Sequence, residues 1–166
     1  MAGFGSPNEF TVDATGLRLG IVVTRWHADV TEQMLERALA AAKACHVTDT
    51  VVAHVSGSVE LPVVAQAMTR TCDAVVALGV VVRGDTAHFE FVCRSVTDGL
   101  TRVALDSSTP VAHGVLTVDT LEQAIDRAGL PTSSEDKGFT AAVAALDAAL
   151  AIRAVAANGA ASRRSD

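Results

Sequence analysis

Four short valine-rich runs recur along the chain: Arg18 to Thr24, Thr50 to Val55, Ala74 to Val82 and Val111 to Thr117, each bounded by turn residues. Runs of this length and composition read as buried strands. Between them the apolar residues change to helical spacing. Val30, Met34, Leu35, Ala38 and Leu39 carry it in the first interval, Val63, Val64, Ala67 and Met68 in the second, and Val92, Val96, Leu100 and Val103 in the third. Steady alternation of strand and helix predicts an α/β fold, a parallel sheet with helices on both faces.

After the fourth run, Asp119 or Thr120 can cap a short helix to about Ala128, which Gly129 and Pro131 stop. A final helix is expected from about Asp136 to Ala157, with Phe139, Val143, Leu146 and Leu150 on one face. Pro62 suits the first turn of the second helix. With no linker or repeat in view, the expectation is an N-terminal arm (1–16), one domain (17–158) and a disordered tail (159–166).

Composition excludes several classes of function. The mean hydropathy of +0.34 is high, but Ala74 to Val82, the longest apolar run, is far short of the roughly 20 residues that span a bilayer. Surplus apolar surface is expected to be buried between subunits. With no secretory signal in the first residues, the chain reads as cytoplasmic. Cys45, Cys72 and Cys93 are odd in number and widely spaced, which argues against disulfides and zinc and for small buried hydrophobes. A net charge of −6 with scattered basic residues offers no footprint for nucleic acid. His27, His46, His54 and His113 lack metal-ligand spacing, so no metal is expected.

In a parallel sheet ligands bind beyond the carboxyl ends of the strands, and the uncommon residues of this chain follow those ends. Trp26, with His27 beside it, can stack on a planar ring or anchor a core or interface. Glu60 follows Ser58 and Val59 at a helix start, where it can cap the helix or accept from substrate hydroxyls. Gly84, Asp85 and Thr86 can offer free backbone N–H groups to an anion at the start of the third helix. His88 falls in that helix's first turn, whose positive end favours a neutral imidazole suited to proton transfer. Of the two lysines, Lys43 lies on the charged side of the first helix, whereas Lys137 begins the last helix near Arg127. That dipole position is unfavourable for a cation and suggests a ligand contact.

Taken together these residues resemble the lumazine synthases. Gly57-Ser58-Val59-Glu60-Leu61-Pro62 is similar to the family's motif after strand two, and Ala77 through Val92 to its longest signature. Pro110 to Thr117, Gln123 to Gly129 and Asp136-Lys137-Gly138 resemble later family segments, in the same order. The resemblance implies a three-layer αβα sandwich on a flavodoxin-like sheet of order 2-1-3-4. It also implies cofactor-free condensation of a ribitylaminouracil with dihydroxybutanone phosphate, in the riboflavin pathway. Homopentamers are implied, with riboflavin synthase a candidate partner.

Carried over to this sequence, Trp26 and His27 would hold the pyrimidine side, and Ser58, Val59 and Glu60 the ribityl chain. Val80, Val81 and Val82 would line the ring pocket. Gly84, Asp85 and Thr86 would cradle phosphate with Arg127, His88 would move protons, and Lys137 would contact the pyrimidine. His113, Arg127 and Lys137 would come from the adjacent subunit. This chain departs from the family in carrying His113 where asparagine or phenylalanine is usual, Val59 where the hydrophobe is bulkier, and Asp85 beside the expected phosphate. The alternation alone also fits a noncatalytic flavin- or lumazine-binding module of flavodoxin-like fold. A Schiff-base enzyme would need a desolvated lysine on a strand, and neither Lys43 nor Lys137 is so placed.

Overall fold

The computed structural model describes residues 10–162. Of the predicted arm and tail, 1–9 and 163–166 lie outside the described residues. The strands are β1 (Arg18–Thr24), β2 (Asp49–Val55), β3 (Ala74–Val82) and β4 (Val111–Val118). They form one parallel sheet of order β2-β1-β3-β4. The chain reverses direction of strand addition after β2, which puts the crevice between β1 and β3 at the switch point.

Helices α1 (Ala28–Ala44) and α5 (Lys137–Ser162) cover one face, and α2 (Leu61–Met68) and α3 (His88–Ser107) cover the other. The pleat divides β3 between the two cores. Ala74, Val76, Leu78 and Val80 face the α1/α5 side, and Val75 and Ala77 the α2/α3 side. This double burial explains why β3 reads as a continuous apolar run.

The helix faces match the expected spacing in part. Val96, Leu100 and Val103 of α3 are buried, as are Met34, Leu35 and Ala38 of α1, but Leu39 is 38% exposed. In α2 the core residues are Leu61, Ala65 and Met68, while Val63 is 63% exposed. A helix this short and apolar all round has no polar face to fix its orientation, so spacing alone could not choose between the two stripes. Cys45 and Cys72 are buried; Cys93 is only partly so.

Helix α4 (Leu121–Ile125) is shorter than expected. Thr120 is its cap, accepting from the Gln123 amide. Ala128 leaves the helix to pair antiparallel with Asp136, and Gly129, at φ 78°, makes the turn. Asp136 then caps α5 by accepting from the Phe139 amide at 2.9 Å, and pairs with Arg37 of α1 at 2.6 Å. Helix α5 continues through Gly159 to Ser162, past the point where fraying was expected. Its segment Lys137–Gly159 has a mean hydropathy of 1.7 and is long and apolar enough to cross a membrane, although charged residues interrupt its apolar runs. Ala142, Val143, Ala145, Leu146 and Ala149 of this segment are built into the protein core.

Candidate functional site

Past the end of β1 the backbone stays paired with its neighbour. The Arg25 amide donates to the Val55 carbonyl at 2.8 Å and the Trp26 amide to that of Ser56 at 3.2 Å. His27 then adopts φ 59°, ψ 45°, an uncommon conformation for a residue with a side chain, and opens α1. Buried Thr31 reaches back to the Thr24 carbonyl at 2.8 Å and pins this turn. Held this way, Trp26 is 68% exposed, which excludes a role as core anchor of its own chain.

The segment after β2 lies against Trp26. Ser58–Glu60 form a short 3₁₀ turn closed by Glu60, whose Oε2 accepts from the Gly57 amide at 2.9 Å. Capping is therefore a real task of this carboxylate, yet Glu60 remains exposed. The indole borders Gly57: a β-carbon placed there would lie 3.6 Å from Trp26 Cε3 and 3.4 Å from Glu60 Oε2. Ser58 is buried and donates to the Val80 carbonyl at 3.4 Å, whereas Val59 is 52% exposed. Ser58 fits because Gly79 of β3 has no side chain; a β-carbon there would stand 2.9 Å from Ser58 Oγ.

Val80, Val81 and Val82 end β3, but on alternate faces. Val80 and Val82 pack with the α1/α5 core and Val81 with the α2/α3 core. The three side chains thus alternate between the faces and share the strand end. Next, the turn 84–87 leads into His88, the first residue of α3. Among the described residues nothing accepts from the amides of Gly84, Asp85 or Thr86. The His88 amide is engaged at 3.4 Å by Thr86 Oγ1. Gly84 lacks a positive φ, and a β-carbon on it would meet nothing within 4 Å. Neither backbone strain nor packing inside the chain accounts for a glycine there. Asp85, Thr86 and His88 are exposed.

The remaining candidates lie apart. His113 pairs with Ala77 near the start of β4, while the strand pair runs on to Val82 and Val118. At about 3.3 Å per residue, five residues put it about 16 Å below the rim. There its Nε2 meets Thr97 Oγ1 of α3 at 3.3 Å. Partial desolvation of the ring disfavours its charge and pushes its pKa below the ordinary value, although the residue as a whole is exposed.

Arg127 and Lys137 stand together on the turn between α4 and α5, where the Lys137 amide donates to the Arg127 carbonyl at 3.0 Å. Arg127 donates to the Gln123 carbonyl at 2.8 Å and pairs with Glu135 at 3.4 Å. Lys137 also pairs with Glu135, which offsets its unfavourable place at a helix start.

Sequence reasoning passed over Arg83. Its Nε donates to Asp119 at 2.6 Å, its Nη1 to Glu90 at 2.5 Å, and its guanidinium covers the Phe89 ring at 4.2 Å. The carboxylates raise the pKa of Arg83, and Arg83 in turn holds Glu90 below the usual carboxylate range. Among the described residues no cluster of histidine, cysteine and carboxylate side chains could hold a metal ion.

The rim therefore joins an aromatic face, a carboxylate, unengaged amides and an exposed imidazole. These groups can stack on a ring, accept from hydroxyls, bind an anion and move protons. A family model described as 6,7-dimethyl-8-ribityllumazine synthase matches residues 16–153. A protein of that name from Salinispora arenicola (strain CNS-205) is 69% identical over 156 residues, 94% of each chain. One from Thermobifida fusca (strain YX) is 66% identical over 92% of this chain and 89% of its own. One from Mycolicibacterium gilvum (strain PYR-GCK) is 54% identical over 94% and 98%.

Proposed function

The chain belongs to the 6,7-dimethyl-8-ribityllumazine synthase family, and on that premise we propose that it catalyses the family's condensation at this rim. The substrates are a ribitylated diaminouracil and dihydroxybutanone phosphate, and the step belongs to riboflavin biosynthesis. The uracil amine attacks the ketone to form an imine with loss of water. Phosphate then leaves by elimination, and ring closure releases a second water. Each step moves protons between preoriented groups, so position and one imidazole suffice without a cofactor.

The uracil stacks on Trp26 beside His27, and its ribityl hydroxyls meet Glu60 and the backbone at Ser58 and Val59. The ring extends over the strand end at Val80, Val81 and Val82. Phosphate sits on the amides of Gly84, Asp85 and Thr86, with the Asp85 carboxylate turned to solvent, and His88 relays protons from the helix start. The observation that carries this reading is that all these segments leave adjacent strand ends on one rim of the sheet. The open space at Gly84 supports it, because a phosphate can then approach the backbone closely.

His113 is too far down β4 to serve the rim of its own chain, which favours its use by a neighbour's site. Arg127 and Lys137 are assigned to the same boundary, Arg127 to the phosphate and Lys137 to the pyrimidine. Sites completed across a subunit boundary call for a closed ring, and the reading is a homopentamer in the cytoplasm. Mixing the purified protein with both substrates and following lumazine fluorescence tests the function. The expected result is turnover well above the uncatalysed rate. Binding without acceleration would reduce the protein to a noncatalytic binding module.

A further inference from the structure

We propose that Arg83 is a positioning residue that sets the phosphate turn 84–88 and the Arg127 side chain in a fixed relation. The inference rests on the phosphate reading above, in which both elements hold the same kind of group. An arginine beside an anion site is first suspected of binding the anion itself. Here two carboxylates already match its charge, Asp119 on Nε and Glu90 on Nη1. Its backbone is held as well, since the Arg83 amide donates to the Val118 carbonyl at 2.9 Å.

The two carboxylates belong to different elements. Glu90 is in the first turn of α3, close behind His88, and the ring of Phe89 lies under the guanidinium. Asp119 follows β4, and from it the connection continues towards Arg127. The Asp119 amide donates to Gln123 Oε1 at 2.8 Å, and the Gln123 carbonyl accepts from Arg127 Nη1 at 2.8 Å. An unbroken path thus runs from Glu90 through Arg83, Asp119 and Gln123 to Arg127. With Arg127 serving the adjoining subunit, the path joins one site's phosphate turn to the next site's arginine.

Stability is a poor explanation for this arrangement. The side chains of Arg83, Glu90 and Asp119 are 46%, 57% and 63% exposed, and exposed ion pairs add little. A planar fork that bridges two carboxylates in set directions fixes orientation instead, and a lysine ammonium cannot reproduce it.

The test uses the intact protein and compares Arg83→Lys, Asp119→Asn and their double variant with Arg127→Ala. Steady-state kinetics, inhibition by inorganic phosphate and thermal unfolding are measured for each. Arg83→Lys is expected to raise the KM for the ketose phosphate and the inhibition constant of inorganic phosphate about 5- to 50-fold. The KM for the uracil should change less than about twofold. Asp119→Asn should act in the same direction, and the double variant should be little worse than Arg83→Lys, as for residues in one network. Unchanged phosphate inhibition, an equal rise in both KM values, or additive effects would overturn the proposal. If Arg83→Lys does not fold, Glu90→Gln is the gentler variant and faces the same criteria. A wild type that turns over but resists inorganic phosphate, with Arg127→Ala silent, would instead remove the phosphate reading beneath it.

Discussion

His88 and His113 are both exposed but differ in what their rings touch, and different experiments follow from each. Among the described residues the His88 ring has no hydrogen-bond partner, and only its amide is engaged, by Thr86. His88→Ala should therefore leave thermal stability unchanged while lowering kcat about 10- to 1000-fold with little change in KM. Full turnover by the variant between about pH 6 and 8 would make the ring dispensable. His113 is exposed as a residue, yet packing desolvates its ring enough to hold its pKa below the ordinary 6.5. Above that value the ring is neutral in both folded and unfolded chains, so it contributes no pH dependence. As the pH falls below 6.5 the unfolded chain takes up a proton that the folded one resists, and stability drops until the folded pKa is passed. Urea unfolding at stepped pH should show this loss in the wild type and less of it in His113→Asn. Identical slopes would mean that the ring is not held neutral.

The 3₁₀ turn at Ser58–Glu60 fits over β3 only because residue 79 is glycine, with Ser58 Oγ, Leu61 and Thr24 all close to where a β-carbon would be. Gly79→Ala should destabilise the fold by about 1–3 kcal/mol through overpacking. By displacing the turn it should raise the KM for the uracil more than that for the ketose phosphate. Calorimetry with two-substrate kinetics checks both effects, and a variant with wild-type values would show that the turn gives way freely. Strand β3 and the rim residues that follow strand ends were legible because composition marks a doubly buried strand, and the chain leaves such strands at predictable places. The packing of α2 was not, since Val63 and Ala67 match the helical period as well as Leu61 and Ala65 do, and only the second pair is buried. Nor was the Arg83 clamp, whose partner Asp119 lies 36 residues away and meets it only once β3 and β4 are in register. The place of His113 likewise depends on register, which valine-rich runs do not specify. Asp119 or Thr120 could have capped α4, and the clamp's use of Asp119 accompanies capping by Thr120.

For the whole molecule, we infer that the turn between α4 and α5 limits which assembly can form. Residues 130–135 lengthen this turn and place Pro131 within it. The turn is well braced. Ser133 Oγ donates to the Ile125 carbonyl at 2.7 Å and accepts from the Leu130 amide at 3.0 Å, and the Ser134 hydroxyl meets Asp126 at 2.5 Å. A braced turn with a proline cannot fold away from a contact between pentamers, so a free pentamer is expected. Light scattering with and without phosphate should give about five times 17.1 kDa. A particle of sixty subunits would refute the steric argument. The long last helix has a separate consequence. Residues 151–159 are all exposed, with Ile152 and Val155 among them, and Arg153 reaches back to Asp73 through a solvent-facing pair at 2.8 Å. The end of a helix without a packed face is expected to open more readily than its buried part. Its amides should take up deuterium almost as fast as free peptide, while those of the buried stretch around Leu146 wait for global unfolding. Slowed exchange there on raising the protein concentration would report, residue by residue, where another copy comes to rest.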